Sequence, residues 1–163
     1  MFTLQQPRKL TVASALAAAA AAGIVVAATA IGASGRTSPS TTTLTLQSKQ
    51  VGSSVHFVDQ PPAGESPGDT VSFSQILYSR HKQVGFGEVT GTLLDNKRHD
   101  ADNLTGTLIL HGGTIVLQGT SLGKAATQHL AVVGGTGTYA GAHGEATITT
   151  GATLSTLRLT FER

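Results

Sequence analysis

Three side chains in this sequence have the chemistry of a general acid or base: Glu88, Asp59 and His143. Such groups exchange protons with a substrate held within hydrogen-bond distance. In an extended stretch, Glu88 would share one face with Val84, Phe86, Thr90 and Leu94. If that face lines an enclosed lumen, Glu88 is a catalytic candidate. If it faces outwards, Glu88 is a surface or subunit-interface charge, because strand periodicity does not say which face is inside.

A second group of side chains could bind a substrate: Tyr78, His111, Tyr139 and Glu145. The two phenols can donate hydrogen bonds, although packing is the commoner role of a half-buried tyrosine. Glu145 has the same two alternatives as Glu88, lumen or surface. Asp59 ends a strand-like stretch at 55–58 and could lie at the mouth of a barrel.

Other reaction classes have little support. The six histidines are scattered singly, without the ligand spacing of a zinc site, so we predict no metal. No Gly-x-Ser-x-Gly element offers a hydrolase nucleophile. The glycine run at 134–141 departs by one residue from the dinucleotide fingerprint, and no helical pattern follows it. We therefore predict no cofactor.

The N-terminus has the pattern of a secretory signal peptide over residues 1–30. Arg8 and Lys9 precede an uncharged, alanine-rich run at 12–31 that contains a small-residue cleavage pattern. An uncleaved membrane anchor through residues 12–31 is the alternative, because the run approaches the length of a membrane span. The expected location is secreted or extracytoplasmic.

Cleavage would change the charge of the chain. Without Arg8 and Lys9, nine of the eleven basic residues remain and balance the nine acidic ones. A neutral chain without a basic stripe argues against a nucleic-acid partner. The chain has no cysteine, which excludes a disulfide framework and a lipid-modified cysteine anchor.

After a Ser/Thr/Gly-rich linker at 31–42, the hydrophobic period is two, which predicts strands. Expected turns include Arg80-His81-Lys82, Gly112-Gly113 and Gly151-Ala152, with a solvated loop at 95–102. The predicted strands lie near residues 44–47, 70–79, 83–94, 104–110, 114–118, 128–133, 145–150 and 154–161. We predict an all-β fold, an eight-stranded antiparallel β-barrel over residues 43–163, because closure removes exposed sheet edges.

The stretch at 132–144 reads as strand, glycine turn and strand. Its glycines permit positive φ and close backbone approach, so we predict structural roles for Gly134, Gly135, Gly137 and Gly141.

These residues also carry a family resemblance. Val-Val-Gly-Gly-Thr-Gly-x-Tyr-x-x-Ala-x-Gly at 132–144 resembles the signature of the dirigent and allene oxide cyclase barrel superfamily. The blocks at 57–69 and 73–78 are similar to bacterial dirigent-like members, and together with the block at 112–119 the resemblance covers roughly Thr42 to Phe161. The resemblance implies the barrel fold and a homo-oligomer, the plant members being trimers. His143 stands where dirigent proteins commonly have arginine, and Thr138 where an acidic residue can occur, so no quinone-methide acid/base pair is transferred.

Two functions follow as hypotheses. The first is a dirigent-like or cyclase-like barrel that holds a small, largely apolar organic molecule and guides its cyclisation or coupling, a cofactor-free cyclase or isomerase if it is an enzyme. The second is a non-catalytic ligand-binding or cell-envelope barrel. Convergence of Glu88, His143 and Tyr139 on one cavity would favour the first.

Overall fold

A computed structural model describes residues 40–95, 101–123 and 125–163. The predicted signal segment, and the linker up to residue 39, lie outside the described residues. Within the described ranges, no helix has the length and apolar character needed to cross a membrane.

Nine strands are described, joined by turns and by two short 3-10 segments, Gly52–Ser54 and Gly137–Tyr139. They are β1 (Thr42–Gln50), β2 (His56–Val58), β3 (Thr70–Ser79), β4 (Lys82–Asp95), β5 (Ala101–Leu110), β6 (Gly113–Leu122), β7 (Thr127–Gly135), β8 (His143–Thr149) and β9 (Ser155–Glu162).

Eight of these strands close into an antiparallel barrel, which confirms the predicted fold. The order is β1-β9-β8-β7-β6-β5-β4-β3, and pairing of β1 with β3 closes the ring. Closure leaves these strands without a free edge, which suits a chain so rich in threonine and valine.

The three-residue strand β2 is an addition to the predicted eight. It pairs with Thr70–Ser72 at the start of β3, whereas β1 pairs with Gln75–Tyr78 further along the same edge. β1 and β2 thus lie one after the other along β3, and the 3-10 segment Gly52–Ser54 forms a kink between them. Because β9 begins opposite Ser48, β2 lies beyond the paired part of β9.

The two ends of the barrel differ. At the end that holds the start of β1 and β8, which we call the closed end, buried side chains fill the interior. These include Leu77, Ile115, Val132, Ala142, Leu159 and Phe161. At the opposite end, which we call the open end, β1 finishes and β9 begins. There an accessible cavity remains inside the barrel.

Two predicted turns are displaced. The β5–β6 hairpin pairs Leu110 with Gly113, so its loop residues are His111 and Gly112 rather than the two glycines. The predicted two-residue turn at Gly151 is wrong, because Thr149 pairs with Thr156 and Ser155 begins β9, which leaves a longer loop at 150–154. The loop expected at 95–102 is wrong at both ends, because Asp95 still belongs to β4 and Ala101, which is buried, already belongs to β5. Its residues 96–100 lie outside the described residues. At the polar β3–β4 turn, Arg80 and His81 have φ of 48° and 65°.

Candidate functional site

Glu88 lies on the outer face of the barrel. It is exposed, and its Oε2 accepts a hydrogen bond of 2.9 Å from the hydroxyl of Ser74, its cross-strand partner. The lumenal alternative considered for Glu88 is therefore excluded. The glycines of the same strand, Gly87 and Gly91, occupy the inner positions and are buried.

His143 and Glu145 also face outwards, along an open surface groove of about 600 Å³ on β8 and β9. Glu145 Oε1 lies 2.8 Å from Nδ1 of His129, and both side chains are more than 60% exposed. His143 Nδ1 lies 3.0 Å from the carbonyl oxygen of Gly141, and its Nε2 is 3.8 Å from Glu162. Exposed pairs of this kind contribute little to stability. Neither side chain reaches the lumen.

The remaining candidates are dispersed. Tyr139 is half-buried at the closed end, where its ring meets Phe161 edge-on with centroids 6.3 Å apart. Tyr78 pairs with Gln47 on the outer face, and His111 is an exposed turn residue at the closed end. Asp59 is exposed in the β2–β3 loop, where it accepts a 3.1 Å hydrogen bond from the N–H of Gly64. Glu88, His143 and Tyr139 do not converge on one cavity.

The glycine turn closes one end of the barrel. At Gly135 a Cβ would overlap the carbonyl oxygen of Tyr139, and Gly137 has φ +60°. Gly141 has φ +78° with open space around it. Gly134 has neither a positive φ nor a close backbone contact. Its φ is not in the left-handed region, and nothing lies within 4 Å of an added Cβ. Its predicted conformational role is wrong.

The cavity is the open half of the lumen, with a volume of about 420 Å³. Its lining is predominantly apolar and includes Phe73, Val89, Leu104, Leu108, Leu117, Leu130, Ile148 and Leu157. The polar lining side chains are amides and hydroxyls, from Ser48, Gln50, Gln75, Gln128, Thr150, Thr153 and Ser155. Among the described residues, no ionisable side chain lines it.

The polar groups of the cavity have two roles. The amide of Gln128 is engaged at the rim: its Oε1 accepts a hydrogen bond from Leu122 N–H at 3.0 Å, and its Nε2 donates to the carbonyls of Leu122 (2.7 Å) and Ala125 (3.1 Å). The side chains of Ser48, Gln50 and Gln75, by contrast, form no hydrogen bond with another described residue. These three groups are available to orient a bound molecule.

Asp69 organises the long loop between β2 and β3. Its carboxylate is buried and accepts hydrogen bonds from the N–H groups of Gln60 (2.7 Å) and Ser66 (2.9 Å). The hydrogen bonds from the Gln60 N–H, which has the largest effect, and from the Ser66 N–H lower the pKa of Asp69 below its ordinary value. Together they outweigh burial, which acts to raise it. The carboxylate therefore fixes the loop beside the open end.

The chain resembles several solved structures. Pyocyanin demethylase superposes with a TM-score of 0.64 at 26% identity, over 72% of this chain and 98% of that one. An exo-specific intermolecular Diels-Alderase gives 0.62 at 15%, over 76% and 99% of the two chains. The pterocarpan synthase dirigent protein gives 0.60 at 18%, over 79% and 87%. No family model and no curated protein matches the sequence.

The chain has the dirigent-like barrel fold. The resemblance read from the glycine motif is thereby confirmed for the fold. In this dirigent-like barrel, none of the described parts gathers three or more His, Asp or Glu side chains in a way that could hold a metal ion.

The lumenal amides of the dirigent-like barrel are not among the catalytic and binding candidates predicted from the sequence, all of which have ionisable side chains. A signal was present, however. Gln75 interrupts the inner row of β3 between Phe73 and Leu77, and Gln50 continues the inner row of β1 after Leu46 and Ser48. A neutral polar residue at a core position of a strand indicates a lumenal contact once the inner face is known.

Proposed function

We propose that the chain is an exported barrel whose lumen binds one small, neutral, largely apolar organic molecule and guides its cyclisation or coupling by confinement. The observation that carries this proposal is the uncharged cavity of about 420 Å³ with free groups on Ser48, Gln50 and Gln75. Cavities of this size, apolar with a few convergent polar groups, are typical small-molecule sites.

The polarity of the lumen favours a neutral ligand. An ionised group loses its hydration on entering an apolar cavity, and the described lining offers no counter-charge to compensate that loss. A carbonyl or hydroxyl group, in contrast, can be hydrogen-bonded by the amide of Gln75 or the hydroxyl of Ser48. These groups would fix the orientation of the ligand along the barrel axis.

The reaction class follows from the same lining. A cycloaddition redistributes π electrons into new σ bonds without transferring a proton or releasing a leaving group. Such a reaction can be accelerated by holding the reacting carbons in the productive arrangement, and needs no ionisable side chain. We therefore favour cyclisation by confinement over acid/base chemistry at Glu88 or His143, which lie on the outer surface.

The structural neighbours support a small-molecule function. Their names describe a demethylase of pyocyanin, a Diels-Alderase and a pterocarpan synthase dirigent protein, each concerned with a small organic compound. A carrier or cell-envelope protein that binds such a compound without transforming it is the second candidate, because an uncharged lumen suits storage as well as catalysis.

The decisive variant for ligand binding is Gly106→Leu. An added Cβ at Gly106 has its nearest neighbour, Leu117 Cβ, at 3.8 Å, so a larger side chain enters the lumen without a backbone clash. Thr105→Leu adds a similar group at the adjacent exposed position and is the matched control. We expect the neutral naphthalene ketone Prodan to bind the unmodified protein and Thr105→Leu equally. Gly106→Leu should weaken binding by more than about tenfold, or about 1.4 kcal/mol.

Catalysis is tested separately from binding. A neutral triene that cyclises slowly in buffer should cyclise faster with the unmodified protein, and Gly106→Leu should remove the acceleration. Binding without acceleration would support the carrier function instead. Equal Prodan binding by Gly106→Leu and Thr105→Leu would overturn both, because the ligand would not occupy the lumen.

Export and assembly are further parts of the proposal. The pattern at residues 1–30 predicts that protein recovered from outside the cytoplasm has the mass of a chain whose first residue is Ile31. A retained anchor would leave the full-length mass in the membrane fraction. Light scattering of the processed protein tests the trimer expected from the resemblance.

A further inference from the structure

Phe57 exposes an aromatic ring on the face of β2 that continues the lumen wall. The residue is 56% exposed. Its cross-strand partner is Val71, which in turn pairs with Gly91, and Gly91 pairs with Leu104. Directly paired residues of antiparallel strands point to the same side of the sheet. Because Leu104 lines the cavity, Phe57 belongs to the same inner row.

The position of Phe57 along the barrel axis can be compared with that of the cavity lining. Phe73 lines the cavity and follows Val71 by two residues on the same face of β3. Two residues of a strand span about 7 Å. The ring of Phe57 therefore stands one row of side chains further towards solvent than Phe73.

The strand that carries Phe57 is held at both ends. Before it, the N–H of Ser74 donates a 2.8 Å hydrogen bond to the hydroxyl of Ser54, which fixes the kink between β1 and β2. After it, the N–H of Gln60 donates to the buried carboxylate of Asp69. An aromatic group on a pre-ordered strand loses little conformational freedom when a ligand packs against it.

We propose that Phe57 forms an outer subsite that packs against the part of a ligand too long for the lumen. This inference rests on the proposed function, and it extends the ligand class to elongated neutral molecules. Such a molecule would place one apolar portion among Leu108, Leu117 and Leu130. A second apolar portion, a further ring or an alkyl chain, would cross the open end and cover the ring of Phe57.

The same strand supplies a matched control. Val58 is 49% exposed and pairs with Thr70, so it presents a similar apolar group on the opposite, outer face of β2. A general effect of surface hydrophobicity would involve both residues. A subsite at the mouth of the lumen involves Phe57 alone.

The test compares two neutral probes that share one fluorophore. Prodan carries a short acyl group, and Laurdan replaces it with a lauroyl chain, so that the excess length must cross the open end whichever portion enters first. Phe57→Ala should weaken Laurdan binding by about tenfold, the scale expected for a partly buried phenyl ring, and leave Prodan binding within about twofold. Val58→Ala should change neither, and Phe57→Tyr should retain Laurdan binding.

The outcomes separate this inference from the proposed function. If Gly106→Leu abolishes Prodan binding while Phe57→Ala leaves Laurdan binding unchanged, the lumen is the site and the outer subsite is wrong. The same conclusion follows if Val58→Ala weakens Laurdan binding as much as Phe57→Ala does. If Gly106→Leu leaves Prodan binding intact, the proposed function itself is wrong. Thermal melts of each variant confirm that the fold is retained.

Discussion

The backbone of Gly137 lies against the carbonyl oxygen of Gly112, so closely that a Cβ atom on Gly137 would overlap that oxygen. Gly137 also has φ +60°, a conformation that β-branched residues rarely adopt. The β5–β6 turn and the β7–β8 connection thus pack backbone to backbone at the closed end, where the N–H of Thr138 donates a 2.8 Å hydrogen bond to Gly112.

We expect Gly137→Val to lower the free energy of unfolding by at least about 2 kcal/mol, because strained φ and steric overlap act together. The matched control is Gly134→Ala, where an added Cβ meets nothing within 4 Å, and we expect that variant to stay close to the unmodified protein. Thermal denaturation of both variants checks this. Equal melting temperatures would contradict the structural role of Gly137.

His143→Ala should change stability by less than about 1 kcal/mol and leave Prodan binding unchanged. The imidazole is 67% exposed and lies on the outer surface, away from the cavity lining. Denaturant titration and a Prodan binding curve measure the two quantities. A loss of Prodan binding without unfolding would show that His143 contributes to ligand binding.

Replacing the amide of Gln75 should weaken Prodan binding more than neutralising the carboxylate of Glu88. Gln75→Leu removes a free hydrogen-bonding group from the lumen, so the ketone Prodan should bind about threefold to tenfold more weakly, as for loss of one neutral hydrogen bond. Glu88→Gln keeps an acceptor for Ser74 on the outer face and should bind Prodan normally. The reverse order of effects would place the ligand outside the barrel.

Asp69 should make stability depend on pH in acid. Its pKa is lowered on folding, so its contribution is fully present above the unfolded value of about 3.8 and is lost as the pH falls through the lower folded value. Asp69→Asn should therefore be less stable than the unmodified protein at pH 7, and the difference should shrink as the pH falls below 3.8. Asp59 has an exposed carboxylate in the same loop, so Asp59→Asn is the control variant. A difference independent of pH would mean that the charge on Asp69 contributes nothing.

The sequence predicted the barrel because alternation of period two and glycine turns constrain strands locally. The span of β3 was predicted to the residue, Thr70–Ser79. Periodicity could not determine which face of a strand lines the lumen. Glu88 and Gln75 both lie on strands, but only the assembled sheet shows that Gln75 faces inwards. The strand-like stretch at 55–58 was not counted among the eight predicted strands, and its pairing as β2 depends on the distant residues Thr70–Ser72.

The central claim, that a neutral ligand occupies the open half of the lumen, is tested most directly by following leucine methyl resonances during a titration with Prodan. We predict shifts for the leucines that line the cavity, with little change at the exposed Leu94 and Leu122 or at Leu159 in the closed end. The lining leucines are Leu104, Leu108, Leu117, Leu130 and Leu157. Shifts confined to Leu94 and Leu122, with the lining leucines unchanged, would contradict the account.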